Sequence, residues 1–126
     1  MKKTIIITLP LPPRQLSPNF RCHWATRAKA TKTYRGISHL AALEYLATHP
    51  DNLGEPWDNA MIESVFFFKF KRRRDRDNCL AQLKAGFDGL ADGGVVNDDS
   101  GFIHLPVRLE VDKSNPRLEL HITQVC

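Results

Sequence analysis

The sequence has few features that would tie it to a disulfide scaffold, a zinc site or a membrane. Its three cysteines, Cys22, Cys79 and Cys126, are odd in number and far apart, with no C-x-x-C pair. We therefore expect free thiols. No apolar run approaches the ~18 residues of a membrane span, and no D-x-[DN]-x-[DN]-G calcium loop, internal repeat or low-complexity tract occurs. These absences favour an ordinary globular protein with no membrane partner.

The N-terminal stretch MKKTIIITLPLPP has a basic start and a short apolar run, as a secretory signal peptide does. Prolines interrupt the run and no small-residue cleavage site follows, so we interpret it as a first strand and expect a cytoplasmic protein. At 126 residues, 42% hydrophobic and 25% charged, the chain is predicted to form one domain over residues 1–126.

Charge is distributed unevenly around a net value of +4. Acidic residues concentrate between positions 88 and 99. Basic residues form two groups, the first between Arg14 and Arg35 and the second from Lys69 to Arg76. The separation favours an anionic partner, although charge alone leaves nucleic acid and an ordinary solvated surface as equal alternatives. The first basic group comprises Arg14, Arg21, Arg27, Lys29, Lys32 and Arg35.

Hydrophobic periodicity predicts the order β-α-β-α-β-β, an α/β (α+β) fold with helices packed on a mixed sheet. The predicted strands cover residues 4–9, 61–71, 103–111 and 118–125, and the predicted helices cover 26–48 and 78–91.

The stretch KFKRRRDRDNCLAQLK covers residues 69–84. It begins with five basic residues within six positions, and Asp75 and Asp77 come next. If the strand continued extended, both aspartates would point to the same side. Helical phase would then align Asp77 with Lys84 and Asp88. Three carboxylates could converge: Asp75, Asp77 and one of the pair Asp98–Asp99.

Carboxylates without histidine or thiolate suit Mg²⁺ or Mn²⁺, which can polarise a phosphoryl oxygen and orient an attacking water. Each part of the pattern also has a structural alternative. Asp75 and Asp77 suit a helix N-terminus, the basic run suits a solvated strand end, and Asp98–Asp99 suits a turn. Lys84 suits an i, i+4 pair with Asp88.

Across nearly its whole length the chain resembles the RusA-type Holliday junction resolvases. The matching blocks are TLPLPPRQLSPN, RRRDRDN, KAGFDGL, GGVVNDDS and RLELHIT. The resemblance implies a homodimeric, Mg²⁺-dependent endonuclease that makes paired symmetric nicks in four-way junction DNA during recombination and repair. A two-fold substrate suits a dimer with two equivalent sites.

By motif, the resemblance assigns metal binding and catalysis to Asp75, Asp77 and Asp99, with Asp98 as the alternate third carboxylate, and a catalytic role to Lys84. In some members the lysine lies three residues nearer the D-x-D-N motif, a difference of ~4.5 Å of helical rise. Phe20 or Trp24 would contact bases at an opened crossover, or else pack in the core or the dimer interface. The expected DNA contacts are Lys69, Lys71, Arg72, Arg73, Arg74, Arg76, Arg21, Arg27, Lys29 and Lys32.

Two other functions stay open. One is a non-catalytic junction-binding protein with a degenerate metal site, which would bind but not cut. The other is a metal-dependent ribonuclease, which would prefer structured RNA to a DNA junction.

Overall fold

The computed structural model describes residues 3–50 and 55–125, which form an α+β fold around a five-stranded mixed sheet. Two short 3₁₀ turns, Arg14–Leu16 and Asp99–Gly101, accompany the main elements. In chain order these are β1 (Thr4–Leu9), α1 (Trp24–Thr48), β2 (Ala60–Phe68), α2 (Arg76–Ala81), α3 (Lys84–Asp92), β3 (Phe102–His104), β4 (Arg108–Val111) and β5 (Arg117–Gln124).

The sheet has the spatial order β1-β5-β2, and β3 and β4 share the remaining edge of β2. β5 is antiparallel to both of its neighbours, whereas β3 and β4 run parallel to β2. β4 pairs with the end of β2, where Phe68 lies opposite Val111. The basic residues 69–74 therefore begin where the paired part of the sheet stops.

Alternation along the strands decides which face of the sheet is covered. β1 and β5 alternate between buried and more exposed positions. Their buried side chains join those of the helices in a single core cluster, so the helices cover one face. The core side chains that carry this contact include Ile5, Ile7, Leu9, Tyr34, Leu90, Leu118, Leu120 and Ile122.

The contact between α1 and α3 depends on small residues. A methyl group at Gly89 would collide with the carbonyl oxygen of Arg35 and with the β-carbon of Ser38. The hydroxyl of Ser38 is buried and donates a hydrogen bond of 2.6 Å to the carbonyl of Gly86. Arg35 adds a two-pronged ion pair with Asp92, at 2.6 and 2.9 Å. This packing fixes the position of α3, and with it the backbone of its first residue.

The α+β class, the mixed sheet and β1 are confirmed, but the predicted order is wrong in two places. The predicted helix 78–91 is two helices, with a break at Gln82 and Leu83. The predicted strand 103–111 is also two strands, β3 and β4. The N–H of Leu83 bonds to the carbonyl of Leu80, three residues back, so the chain tightens and closes α2 there.

The prediction that the second strand extends to residue 71 and beyond is also wrong. β2 ends at Phe68, and Asp77 is helical in the first turn of α2. The strand alternation therefore does not set the directions of Asp75 and Asp77. Helix α1 begins two residues before the predicted start.

Cys22 and Cys79 are free thiols, and burial raises the pKa of Cys79, whereas Cys126 lies outside the described residues. Within the described part of the chain, no helix has both the length and the apolar character needed to cross a membrane.

Candidate functional site

Most of the basic segment, defined as residues 69–74, is open to solvent. Lys69, Lys71, Arg72 and Arg73 are exposed, and the segment has no regular secondary structure. Arg74 differs from them because its guanidinium lies 3.6 Å from the centroid of the Phe68 ring. Burial, with Arg72 nearby, lowers the pKa of Arg74. The segment therefore offers four exposed cations, of which Lys69 lies 5.6 Å from the centroid of the Phe70 ring, and one partly buried arginine that packs on Phe68.

Asp75 forms the N-cap of α2 and Asp77 lies in its first turn. The Oδ1 atom of Asp75 accepts the backbone N–H of Asp77 at 2.8 Å and that of Asn78 at 3.3 Å. Both aspartates are exposed. The capping alternative is thus confirmed for Asp75, and it occupies one of the two carboxylate oxygens. Both carboxylates lie at the surface, on residues that follow the basic segment directly.

Lys84 is the first residue of α3 and binds two carboxylates. Its Nζ donates to Asp88 at 2.9 Å and also forms a direct ion pair with Asp99. These hydrogen bonds, to Asp99 first and then Asp88, raise the pKa of Lys84. A cation at a helix N-terminus is unfavourable for the helix dipole, and the two carboxylates offset that cost. The i, i+4 alternative for Lys84 and Asp88 is confirmed, but it accounts for only half of the contact.

The structure gives Asp98 and Asp99 different partners. Asp98 caps the second 3₁₀ turn and accepts both the backbone N–H, at 3.0 Å, and the hydroxyl of Ser100. These bonds lower the pKa of Asp98. Asp99, a quarter exposed, instead pairs with Lys84. Asp98 therefore has the role of a turn residue, and Asp99 is the member of the pair that joins the predicted lysine.

The predicted site residues form two pairs: Asp75 accepts the backbone N–H of Asp77, and Lys84 forms an ion pair with Asp99. No hydrogen bond or ion pair among the described residues joins one pair to the other. Within residues 3–50 and 55–125, no group of three or more histidine, cysteine or acidic side chains is arranged to hold a metal ion. The protein side chains as they lie do not assemble the predicted three-carboxylate group.

Carboxylate oxygens nevertheless suit Mg²⁺ and Mn²⁺ by donor chemistry. Mg²⁺ is commonly held by one or two carboxylates together with phosphate oxygens of the substrate, rather than by an all-protein cage. Asp75 and Asp77 together would supply two such carboxylates, and Asp99 would supply one. The residues fit a cation shared with a bound phosphodiester.

The predicted DNA contacts near the N-terminus divide into exposed and structural side chains. Arg21, Lys29 and Lys32 are exposed. Arg27 donates to the carbonyl of Ser17 at 3.1 Å and to that of Phe20, so its guanidinium holds the preceding loop in place. Arg76 likewise donates to the carbonyl of Val107 at 3.2 Å.

A groove of about 440 Å³ beside α2 involves residues that the sequence did not nominate together. Its lining includes Arg14, Phe20, Phe68 and Arg74. These come from the N-terminal loop, the end of β2 and the basic segment, so no local spacing could have joined all four. Asp88 was also missed as a site residue, although its i, i+4 spacing from Lys84 was visible.

No protein-family model matches the chain. A protein of Xylella fastidiosa (strain Temecula1 / ATCC 700964), described only as "Uncharacterized protein", is 34% identical over 108 residues. That match covers 85% of this chain and 68% of the relative. With this identity and coverage, the chain belongs to the same family as the Xylella fastidiosa protein.

Proposed function

We propose that the protein is a Mg²⁺-dependent, structure-selective DNA endonuclease that resolves four-way junctions by paired symmetric nicks. The observation that carries the proposal is the ion pair between Lys84 and Asp99. The RusA-like motifs nominated this lysine and this aspartate independently, 15 positions apart. Their direct contact brings the two residues into one place, which supports a shared role, and neither periodicity nor spacing predicted it.

The basic segment supports the same proposal through its position. Four exposed cations, Lys69, Lys71, Arg72 and Arg73, lead directly into the exposed carboxylates Asp75 and Asp77. Cations of this kind neutralise DNA phosphates and fix the backbone on the protein. A phosphodiester held by the segment would thus lie beside carboxylate oxygens.

A bound Mg²⁺ would supply Lewis-acid polarisation of the phosphoryl oxygen, with Asp75, Asp77 and Asp99 as the candidate holders. Lys84 would stabilise the negative charge that develops on the phosphate. Asp88 would keep Lys84 cationic and hold its ammonium in place through the 2.9 Å contact. The basic segment would bind and orient the DNA backbone.

A non-catalytic junction-binding protein is the second candidate, and two observations favour it. Asp75 already has a structural role as an N-cap. The described side chains also form no three-carboxylate group. On this alternative the basic segment binds DNA and the carboxylates serve the fold.

Cleavage of an end-labelled four-way DNA junction in Mg²⁺ tests the proposal, with the linear duplex and EDTA as controls. Paired nicks on the junction alone, lost in EDTA, are the expected result. Tight binding without nicks in Mg²⁺ and in Mn²⁺ would select the junction-binding alternative, and cleavage of structured RNA in preference to the junction would indicate a ribonuclease.

The proposal includes a cytoplasmic location. It also includes a homodimer, because a two-fold symmetric junction is cut by two equivalent sites. Light scattering of the purified protein, alone and with junction DNA, measures the subunit number directly. A monomer bound one to one with the junction would contradict paired symmetric cleavage.

A further inference from the structure

The groove beside α2 combines aromatic rings with arginines that pack on them. The guanidinium of Arg14 lies 5.2 Å from the centroid of the Phe20 ring, and that of Arg74 lies 3.6 Å from the centroid of the Phe68 ring. All four side chains line the groove. Aromatic faces and guanidinium planes are the two protein surfaces on which unstacked bases stack.

The rest of the groove also suits a base better than a cation or a lipid. Amide side chains of Asn19 and Gln82 and the hydroxyl of Ser17 belong to its lining and can both donate and accept hydrogen bonds. Among the described residues that line it, none carries a carboxylate. Its volume, about 440 Å³, lies within the roughly 300–1,000 Å³ of small-ligand pockets.

The groove is joined through the chain to the candidate cleavage residues. Arg74 directly precedes Asp75, and Cys79 and Gln82, which also line the groove, lie in and at the end of the helix that Asp75 caps. The N–H of Cys79 bonds to the carbonyl of Asp75 at 3.0 Å. The basic segment and the groove are therefore adjacent along the protein chain, and a nucleotide with its phosphate on the segment would lie near the groove.

We propose that this groove binds a single unpaired nucleobase, and so selects DNA in which a base is unstacked. The inference rests on the proposed DNA-binding function and adds the substrate feature that is recognised. An unpaired base enters the groove without the cost of breaking a base pair, whereas a continuous duplex must open one. The groove thus favours branched or distorted DNA over linear duplex.

Two matched duplexes test the inference. One carries a single extrahelical 2-aminopurine, and the other carries an abasic residue at the same position. Binding is measured in EDTA by fluorescence anisotropy, together with the 2-aminopurine emission. We expect the base-containing duplex to bind between about 5-fold and about 150-fold more tightly, the range for stacking one base on an aromatic side chain. Quenching of the emission should accompany binding.

Substitutions of Phe20 identify the groove as the source of the preference. Phe20→Ala should remove the preference and Phe20→Trp should retain it. Only the side chain is lost in Phe20→Ala, because the bonds of Phe20 to Ser17 and Arg27 use its backbone. The matched control is Leu40→Ala, since Leu40 is 67% exposed and lies outside the groove lining. Circular dichroism verifies that each variant is folded.

Equal affinity for the two duplexes would overturn the inference, as would a preference that survives Phe20→Ala or disappears in Leu40→Ala. The absence of metal keeps the result independent of cleavage. A base preference in a protein that never cuts junctions would retain the groove site and reject the endonuclease. Junction cleavage without a base preference would support the endonuclease and reject the groove site.

Discussion

Replacing Asp75 by asparagine and by alanine separates the cap of α2 from any role of the carboxylate charge. Asp75 accepts two backbone N–H groups through Oδ1, at 2.8 and 3.3 Å. Asparagine caps a helix about as well as aspartate, whereas alanine has no acceptor. The asparagine variant therefore removes the charge and keeps the cap, and the alanine variant removes both.

The two variants should differ clearly in stability. Loss of an N-cap acceptor typically costs about 1 kcal/mol, within a range of about 0.5–2. Both hydrogen bonds of Asp75 lie at the surface, so we expect Asp75→Ala to lower the free energy of unfolding by about 1 kcal/mol. In a chain of this length that corresponds to a fall in Tm of about 4 °C. Asp75→Asn loses only the interaction of the charge with the helix dipole and should cost less than about 0.5 kcal/mol.

Urea unfolding followed by circular dichroism measures the stabilities, and junction cleavage in Mg²⁺ measures activity. We expect both variants to lose cleavage. Asp75→Asn should bind the junction as tightly as the original protein or more tightly, because a negative charge beside the phosphates is lost. Glu44→Gln, which removes an exposed carboxylate from α1, is the control for the change in net charge.

Three outcomes would refute the reasoning about Asp75. Cleavage by Asp75→Asn at the original rate would leave Asp75 with its capping role alone. Equal stability of the alanine and asparagine variants would show that the two hydrogen bonds contribute nothing to α2. Unfolding of both variants would make the carboxylate charge itself essential for the fold.

Three further predictions follow from contacts elsewhere in the chain. Gly89→Ala should lower the free energy of unfolding by about 2 kcal/mol through overpacking against α1. Gly36→Ala, whose added methyl meets no atom within 4 Å, should raise it by about 0.5–1 kcal/mol, and urea unfolding of both variants checks the contrast. Because the pKa of Lys84 is raised, its stabilising contribution is complete below the ordinary value of 10.5 and is lost as the pH rises through the folded value. The difference in Tm between the original protein and Lys84→Met should therefore shrink above pH 10.5, and a constant difference would contradict the ion pairs. Arg73→Ala should reduce the slope of log K against log salt for junction binding by about 1, whereas Arg76→Ala should mainly lower Tm because its side chain holds a backbone carbonyl.

The hydrophobic pattern was sufficient to predict those elements that bury one regularly spaced set of side chains against the core. The alternation of β1 and the apolar stripe of α3 were both readable from the sequence, since each places its buried residues on the single covered face. The end of β2 was not readable. It is set by the length of its neighbour, because Phe68 is the last residue that pairs with β4. The sequence of residues 69–74 contains no signal for where β4 ends.

The break between α2 and α3 had no sequence signal either, since neither glycine nor proline occurs at Gln82 or Leu83. The buried stripe nevertheless continues through the break, with Leu83 only 1% exposed. The break has a consequence for the candidate site. It makes Lys84 the first residue of a helix, and the contact with Asp99 then comes from a turn that only the tertiary fold brings near.

The carboxylates of Asp75 and Asp99 already have structural partners, and this determines which substitutions can reveal a catalytic role. The partner of Asp75 is backbone N–H, for which asparagine is an equivalent acceptor. The partner of Asp99 is the ammonium of Lys84, and asparagine would break that ion pair together with any contact to substrate. A loss of cleavage in Asp75→Asn is therefore evidence about charge at the reaction centre. The same loss in Asp99→Asn has meaning only beside Lys84→Met, which breaks the pair from the other side. A defect larger in Asp99→Asn than in Lys84→Met would assign to the carboxylate a role beyond holding the lysine.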